Sequence, residues 1–172
     1  MNLEIKKATF SDTETIYNIL LLCGKHLCDH FGLTHWSPPY PIESIKKNIE
    51  EREVYLVYKE NSPIATFTVG LSPLASYDAS RWEIKAKQAM YLNRLAILPT
   101  YQGQNLGSWC VKQIESLAYK ANCQALRFDA VAKHEKLLRF YLKLGYKNLG
   151  LWQLQDARGV NWDVVLFEKE IK

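Results

Sequence analysis

A chain of 172 residues, 48% hydrophobic and 23% charged, can bury a core of its own, which excludes disordered, collagen-like and low-complexity classes. Its 22 Lys and Arg exceed its 18 Asp and Glu by four and are spread along the chain, so neither nucleic acid nor a membrane surface is an expected partner. The longest apolar run, residues 19–23, is far short of the roughly 20 residues a membrane helix needs, and no apolar stretch follows Lys6 and Lys7 as in a signal peptide. The expectation is one soluble domain over residues 1–172, cytoplasmic, with Cys23, Cys28, Cys110 and Cys123 as reduced thiols.

Leu3, Ile5 and Lys7 alternate with charged neighbours and predict a first strand. Ser11-Asp-Thr-Glu14 reads as a capping box with Ser11 at the N-cap. Behind it Ile16, Ile19, Leu20, Cys23 and Leu27 share one face of a helix running to about Asp29. Consecutive prolines make residues 37–41 a loop, and Ile42, Ile45 and Ile49 mark a second, shorter helix. Residues 54–58 and 64–69 flank Asn61-Ser-Pro63 as a β-hairpin. Residues 71–87 have no period and read as a long loop. A strand over 90–97 ends before Pro99, and a helix follows over 106–121, with Leu106, Cys110, Ile114, Leu117 and Ala121 on its apolar face. Then come a strand over 125–131, a helix over 135–144 with Gly145 as its cap, and a hairpin of 146–154 and 162–167. The order β-α-α-β-β-β-α-β-α-β-β makes an α/β or α+β domain with a mixed sheet.

The chemistry-bearing stretch runs from Tyr91 through Gln102-Gly-Gln-Asn-Leu-Gly107 to Cys110: strand, glycine-bearing turn, helix. Such a turn presents backbone N–H groups at the positive end of a helix dipole, where phosphates bind without lysines. It is neither Gly-Lys-Ser/Thr nor Gly-x-Gly-x-x-Gly. On the residues alone, a pyrophosphate site and an ordinary helix start are evenly matched.

Gln102-Gly-Gln-Asn-Leu-Gly107 resembles the Q/R-x-x-G-x-G/A signature of the GNAT superfamily of acyl-CoA-dependent N-acetyltransferases, with Asn105 in place of the first glycine. Leu95-Ala-Ile97-Leu-Pro99 resembles that family's central strand and its exit. Residues 128–146 resemble its second signature, an Asn (His134 here) followed seven residues later by Tyr141 and then by Gly145-Tyr146. The resemblance spans essentially the whole chain. It implies a GNAT-like mixed, mostly antiparallel central sheet of about seven strands flanked by about four helices.

It also implies an enzyme that moves the acetyl group of acetyl-CoA to a primary amine of a small molecule, amino acid or peptide by direct attack. The backbone of Leu95, Ala96 and Ile97 would meet the pantetheine arm. Amides from Gln102, Gly103, Gln104, Asn105, Leu106, Gly107 and Ser108 would hold the pyrophosphate, with His134 and Leu137 also lining the cofactor. Tyr141 takes the general-acid position; its competing role is packing in the helix's apolar face. No base is assigned, Glu83 being the nearest carboxylate in sequence to the central strand. Phe31, Trp36, Tyr40 and Asn93 are the candidate lining of the acceptor site, though the aromatics equally serve as loop anchors. A non-catalytic acyl-CoA-sensing module on the same fold is the alternative, and the resemblance leaves room for a homodimer. Cys23, His26, Cys28, His30 and His35 crowd into 13 residues, but their spacing matches no zinc-ligand pattern, and no metal is expected.

Overall fold

The computed structural model describes residues 2–156 and 158–172. Seven strands form one sheet in the order β1-β2-β3-β4-β5-β7-β6, with helices α1 (Thr13–Phe31), α2 (Ile42–Glu51), α3 (Leu106–Lys120) and α4 (Glu135–Lys143). The strands are β1 (Leu3–Lys7), β2 (Glu53–Lys59), β3 (Ser62–Gly70), β4 (Ala89–Ile97), β5 (Ala125–Val131), β6 (Lys147–Gln155) and β7 (Asn161–Glu170). Pairing is parallel between β4 and β5 and antiparallel for β1–β2, β2–β3, β5–β7 and β6–β7. This is the mixed sheet that the element order predicts, with the mostly antiparallel pairing, seven strands and four helices that the resemblance implies. The chain divides into two compact units: one up to Val69 together with Asn93–Trp109, the other Gly70–Leu92 with Cys110–Lys172. Among the described residues no helix is long and apolar enough to cross a membrane.

In the first unit the start signal for α1 lies two residues earlier than the Ser11–Glu14 box. The Thr9 amide donates to Asp12 Oδ2 at 2.8 Å, and Phe10–Asp12 form a 3₁₀ turn that feeds the helix. Thr9-Phe-Ser-Asp12 and Ser11-Asp-Thr-Glu14 are overlapping versions of one pattern, and the reciprocal bonds of a capping box can close at only one register. The helix ends at Gly32, whose left-handed backbone (φ 64°) lets its amide reach the Cys28 carbonyl at 3.0 Å. Ile16, Ile19, Leu20 and Cys23 are buried against Ile45 of α2, Val54 and Leu56 of β2, and Ala96 of β4.

Gly24 sits in the middle of α1, where glycine costs about 0.5–1 kcal/mol relative to alanine. Its reason is the loop that follows the helix: a Cβ there would lie 2.3 Å from the Trp36 carbonyl oxygen. The helix gives up propensity to seat a backbone.

In the second unit β5 pairs with β4 through Ala89↔Ala125 to Tyr91↔Arg127, and with β7 through Ala125↔Glu170 to Val131↔Val164. Phe128, Tyr141, Tyr146 and Phe167 form an aromatic cluster with ring centroids 4.5–5.9 Å apart, the spacing of tilted and edge-to-face pairs. The segment between β3 and β4 contains one 3₁₀ turn, Ala79–Arg81, and is pinned along its length. Trp82 and Tyr77 pack on Tyr91, and the Glu83 and Ile84 amides both donate to Glu168 Oε2, at 2.9 and 3.0 Å.

The Gly24→Ala variant separates helix propensity from the seating of Trp36. Propensity alone would stabilise; the clash costs about 1–3 kcal/mol and decides the sign. Calorimetry should read a melting temperature lower by roughly 2–10 °C for a chain of this size.

Candidate active site

Strand β4 leaves the sheet through a segment whose polar groups are bonded inward. The Ile97 carbonyl accepts from Cys23 Sγ at 3.2 Å and from the Gln102 side-chain amide at 2.9 Å. Burial pushes the Cys23 thiol up to about 12, so it stays protonated and donates. Leu98 N–H bonds the Ile64 carbonyl at 2.9 Å, Pro99–Tyr101 make a 3₁₀ turn, and the Gln104 side chain reaches back to the Thr100 carbonyl at 3.3 Å. Of the strand residues assigned to the pantetheine arm, Ala96 is buried and Leu95 half-buried, while Ile97 already has two donors on its carbonyl.

The turn itself is exposed from Gln102 to Asn105, and buried Leu106 anchors the start of α3. Gly103 and Asn105 are both left-handed, with φ of 78° and 60°. Asparagine accepts that backbone more readily than other non-glycine residues, so Asn105 keeps the chain path that the missing glycine would give. A Cβ placed on Gly103 meets nothing within 4 Å; that flank is open to a ligand. With the first N–H groups of α3 lacking helical carbonyls, the residues present fit a pyrophosphate.

Residue 94 adds a third left-handed position. Arg94 has φ 53° in the middle of β4, a conformation costing about 1–3 kcal/mol for a non-glycine residue. The side chain is held twice at its head: the guanidinium lies 3.8 Å from the centre of the Tyr40 ring and donates to Ser44 Oγ at 3.0 Å. Next to it, Asn93 Oδ1 accepts from Arg52 at 3.1 Å. Tyr40 and Asn93, two of the four candidate acceptor-lining residues, are thus brought into one polar cluster with Arg52 and Arg94. Trp36 instead packs half-buried on the core of α1 and β2, and Phe31 lies edge-on to His26, about half exposed.

In the second unit His134 is the N-cap of α4, its amide bonded to the Val131 carbonyl at 3.0 Å. Burial and then Lys136 push its pKa below the ordinary imidazole value, so it is neutral at physiological pH. Leu137 is half-buried one turn on. Tyr141 is buried, its ring fixed by Phe128, Tyr146 and Phe167. Burial, followed by the charges of Asp129 and Cys110, pushes its phenol well above the ordinary value. It remains protonated throughout the physiological range.

A family model described as the acetyltransferase (GNAT) family matches residues 14–146. The chain belongs to that family. It is 30% identical over 168 residues to the uncharacterized N-acetyltransferase YesJ of Bacillus subtilis (strain 168), covering 95% of this chain and 88% of that protein. Two solved structures share the fold. The ribosomal-protein-S18-alanine N-acetyltransferase of Escherichia coli superposes with TM-score 0.71 at 16% identity, over 99% of this chain and 95% of that one. A GNAT family acetyltransferase from Elizabethkingia anophelis with acetyl-CoA bound gives 0.66 at 17%, over 98% of each chain.

One carboxylate escaped the sequence reading. Asp129 lies two residues from Arg127 on β5 and accepts a hydrogen bond from the Tyr77 hydroxyl. Its surface is partly accessible, yet the surrounding protein desolvates the carboxyl and raises its pKa, the Tyr77 bond only partly offsetting this. Glu83 is exposed and paired with Lys147. Arg127 and Asp129 alternate with apolar residues, the signature of a solvated strand face, which hid the desolvation.

Asn105 offers a direct check of the turn. Asn105→Gly should leave stability within about 0.5 kcal/mol of the parent, whereas Asn105→Val should lose about 1–2 kcal/mol, read as a shift in the urea midpoint at unchanged slope.

Proposed function

We propose that this family member is an acetyl-CoA-dependent N-acetyltransferase that acetylates a primary amine of a small molecule, amino acid or peptide. The observation that carries the reading is the paired left-handed backbone of Gly103 and Asn105 at the start of α3, on the segment matching the family's cofactor signature. The bound cofactor of the Elizabethkingia anophelis protein supports the same choice of donor. Four unpaired cysteines fit a reducing, cytoplasmic setting.

When bound, acetyl-CoA supplies a thioester carbonyl and a thiolate leaving group. The chain's own residues then have separable tasks. Amides from Gln102 to Ser108 hold the pyrophosphate in place of water. Asp129, made a stronger base than an ordinary aspartate by its burial, takes a proton from the acceptor's ammonium and so frees the amine that attacks. That proton matters: an amine of pKa about 10.4 is neutral in only about one molecule in 2,500 at pH 7. Tyr141 donates its hydroxyl proton toward the thiolate as the carbon–sulfur bond breaks, and the buried aromatic cluster fixes its ring for this.

Thermal unfolding tests the donor. A hundredfold excess of acetyl-CoA over its Kd stabilises by about 2.7 kcal/mol, a Tm rise of roughly 5–11 °C, which ATP at the same concentration should not reproduce. Absence of the rise at millimolar acetyl-CoA removes the reading. Tyr141→Phe should keep that shift and lose about 10²- to 10⁴-fold in acetyl-transfer rate; an unchanged rate leaves Tyr141 a packing residue. The acid limb of kcat/KM should lie above the ordinary aspartate range, activity falling as pH drops through the raised Asp129 pKa. In Asp129→Asn that limb should vanish along with most of the rate.

A further inference from the structure

Beneath the segment that joins β3 to β4 lies a cavity of about 330 Å³, walled by Tyr77, Trp82, Ile84, Ala86 and Tyr91 and floored by Arg127. Its size falls at the small end of the roughly 300–1,000 Å³ of small-molecule sites. We propose that this cavity is the acceptor subsite and that it takes an amine bearing an aromatic or other flat apolar group; the assignment rests on the acetyl-transfer reading above.

Three rings define the shape. Tyr77 and Trp82 meet edge to face at 5.4 Å, as do Trp82 and Tyr91 at 6.1 Å, while Tyr77 and Tyr91 are tilted at 6.2 Å. Their quadrupoles would ordinarily invite a cation, but a cation is already there. The Arg127 guanidinium sits 5.1 Å from the centre of the Trp82 ring and 6.0 Å from that of Tyr91. It is fixed by Nε to Glu168 at 2.9 Å, by Nη1 to the Tyr91 hydroxyl at 3.2 Å and by Nη2 to the Ile84 carbonyl at 2.7 Å. A second positive charge placed against those rings would face it in a low-dielectric setting. Exposed Lys85 contributes to the lining as well and repels a polycation further. An uncharged planar group meets no such penalty and gains offset or edge-to-face contact with three rings.

The polar end of the site sets the direction of the ligand. Tyr77 is shared: its ring lines the cavity and its hydroxyl donates to Asp129. An acceptor whose flat group fills the cavity would turn its ammonium toward the Tyr77 hydroxyl and Asp129, because the other carboxylate at the cavity, Glu168, is already taken by Arg127 and by the Glu83 and Ile84 amides. Apolar recognition and proton removal would occupy adjacent ends of one small molecule.

Isothermal titration of the whole chain with phenethylamine, butylamine and spermidine tests this without requiring turnover. Phenethylamine should bind saturably and at least tenfold more tightly than either of the others. Ala79→Trp, at an exposed lining position, and Ala86→Phe, deeper in the wall, each fill the cavity. At an unchanged melting temperature, at least one of them should weaken phenethylamine binding tenfold or more while the acetyl-CoA-induced shift persists. Equal affinities for phenethylamine and butylamine, preference for spermidine, no saturable binding, or indifference to both fillings each overturn the proposal. A chain that is stabilised by acetyl-CoA but fails these criteria loses only the subsite. Binding of phenethylamine without any acetyl-CoA shift instead leaves the cavity a ligand site and overturns the transferase reading.

Discussion

Two ions taken out of water, Arg127 on β5 and Glu168 on β7, set the terms on which the second unit is built. Glu168 is 1% exposed and Arg127 7%, and desolvating such charges costs several kcal/mol per ion unless geometry and hydrogen bonds make it good. Here every direction is supplied. One Glu168 oxygen meets Arg127, while the other takes the amides of Glu83 and Ile84; the guanidinium reaches Tyr91 and the Ile84 carbonyl. The result ties an aperiodic segment to two strands and turns a strand face that would otherwise be wet into the floor of a cavity. Asp129, two residues away, is likewise desolvated, and Tyr77 of the same segment donates to it.

A different device operates in the first unit, where backbone conformation rather than charge is constrained. Arg94, Gly103 and Asn105 all hold positive φ within twelve residues of chain. At Arg94 the strain is opposed by the Tyr40 ring and the Ser44 hydroxyl; at Gly103 there is little strain, and at Asn105 the side chain eases it. The turn is held from behind by the Ile97 carbonyl, which gathers a thiol from α1 and an amide from the turn itself. A loop fixed this way loses little further entropy when it meets an anion.

Local signals were legible and non-local ones were not. The α1 stripe of Ile16, Ile19, Leu20 and Cys23 declares itself by a 3.6-residue period, and the turn by its glycines and asparagine; both read correctly because their causes lie within a few residues. The positive φ of Arg94 has no such signature, since arginine has no preference for it. Residues 71–87 lack a period because their order comes from Glu168, a partner 85 positions away along the chain. The capping box falls at Thr9–Asp12 and not at Ser11–Glu14 for a plainer reason: two overlapping patterns satisfy one rule, and the sequence does not say which of them closes. Of the aromatic residues linked to the acceptor, Tyr40 sits in a polar cluster and Trp36 in the core, whereas two of the three rings around the cavity, Tyr77 and Trp82, belong to the segment that had no pattern to read.

That separation of 85 residues also governs the order of assembly. The hairpin of β2 and β3 can close as soon as it is made, and α1 can coil on its own stripe. The cavity cannot. Until β7 is synthesised and paired, the amides of Glu83 and Ile84 have no carboxylate and Arg127 has no counter-ion, and closing so long a loop must be offset before any contact rewards it. The segment carrying Tyr77 and Trp82 thus acquires these contacts only once β7 is in place. The cavity is a late product of the chain's folding.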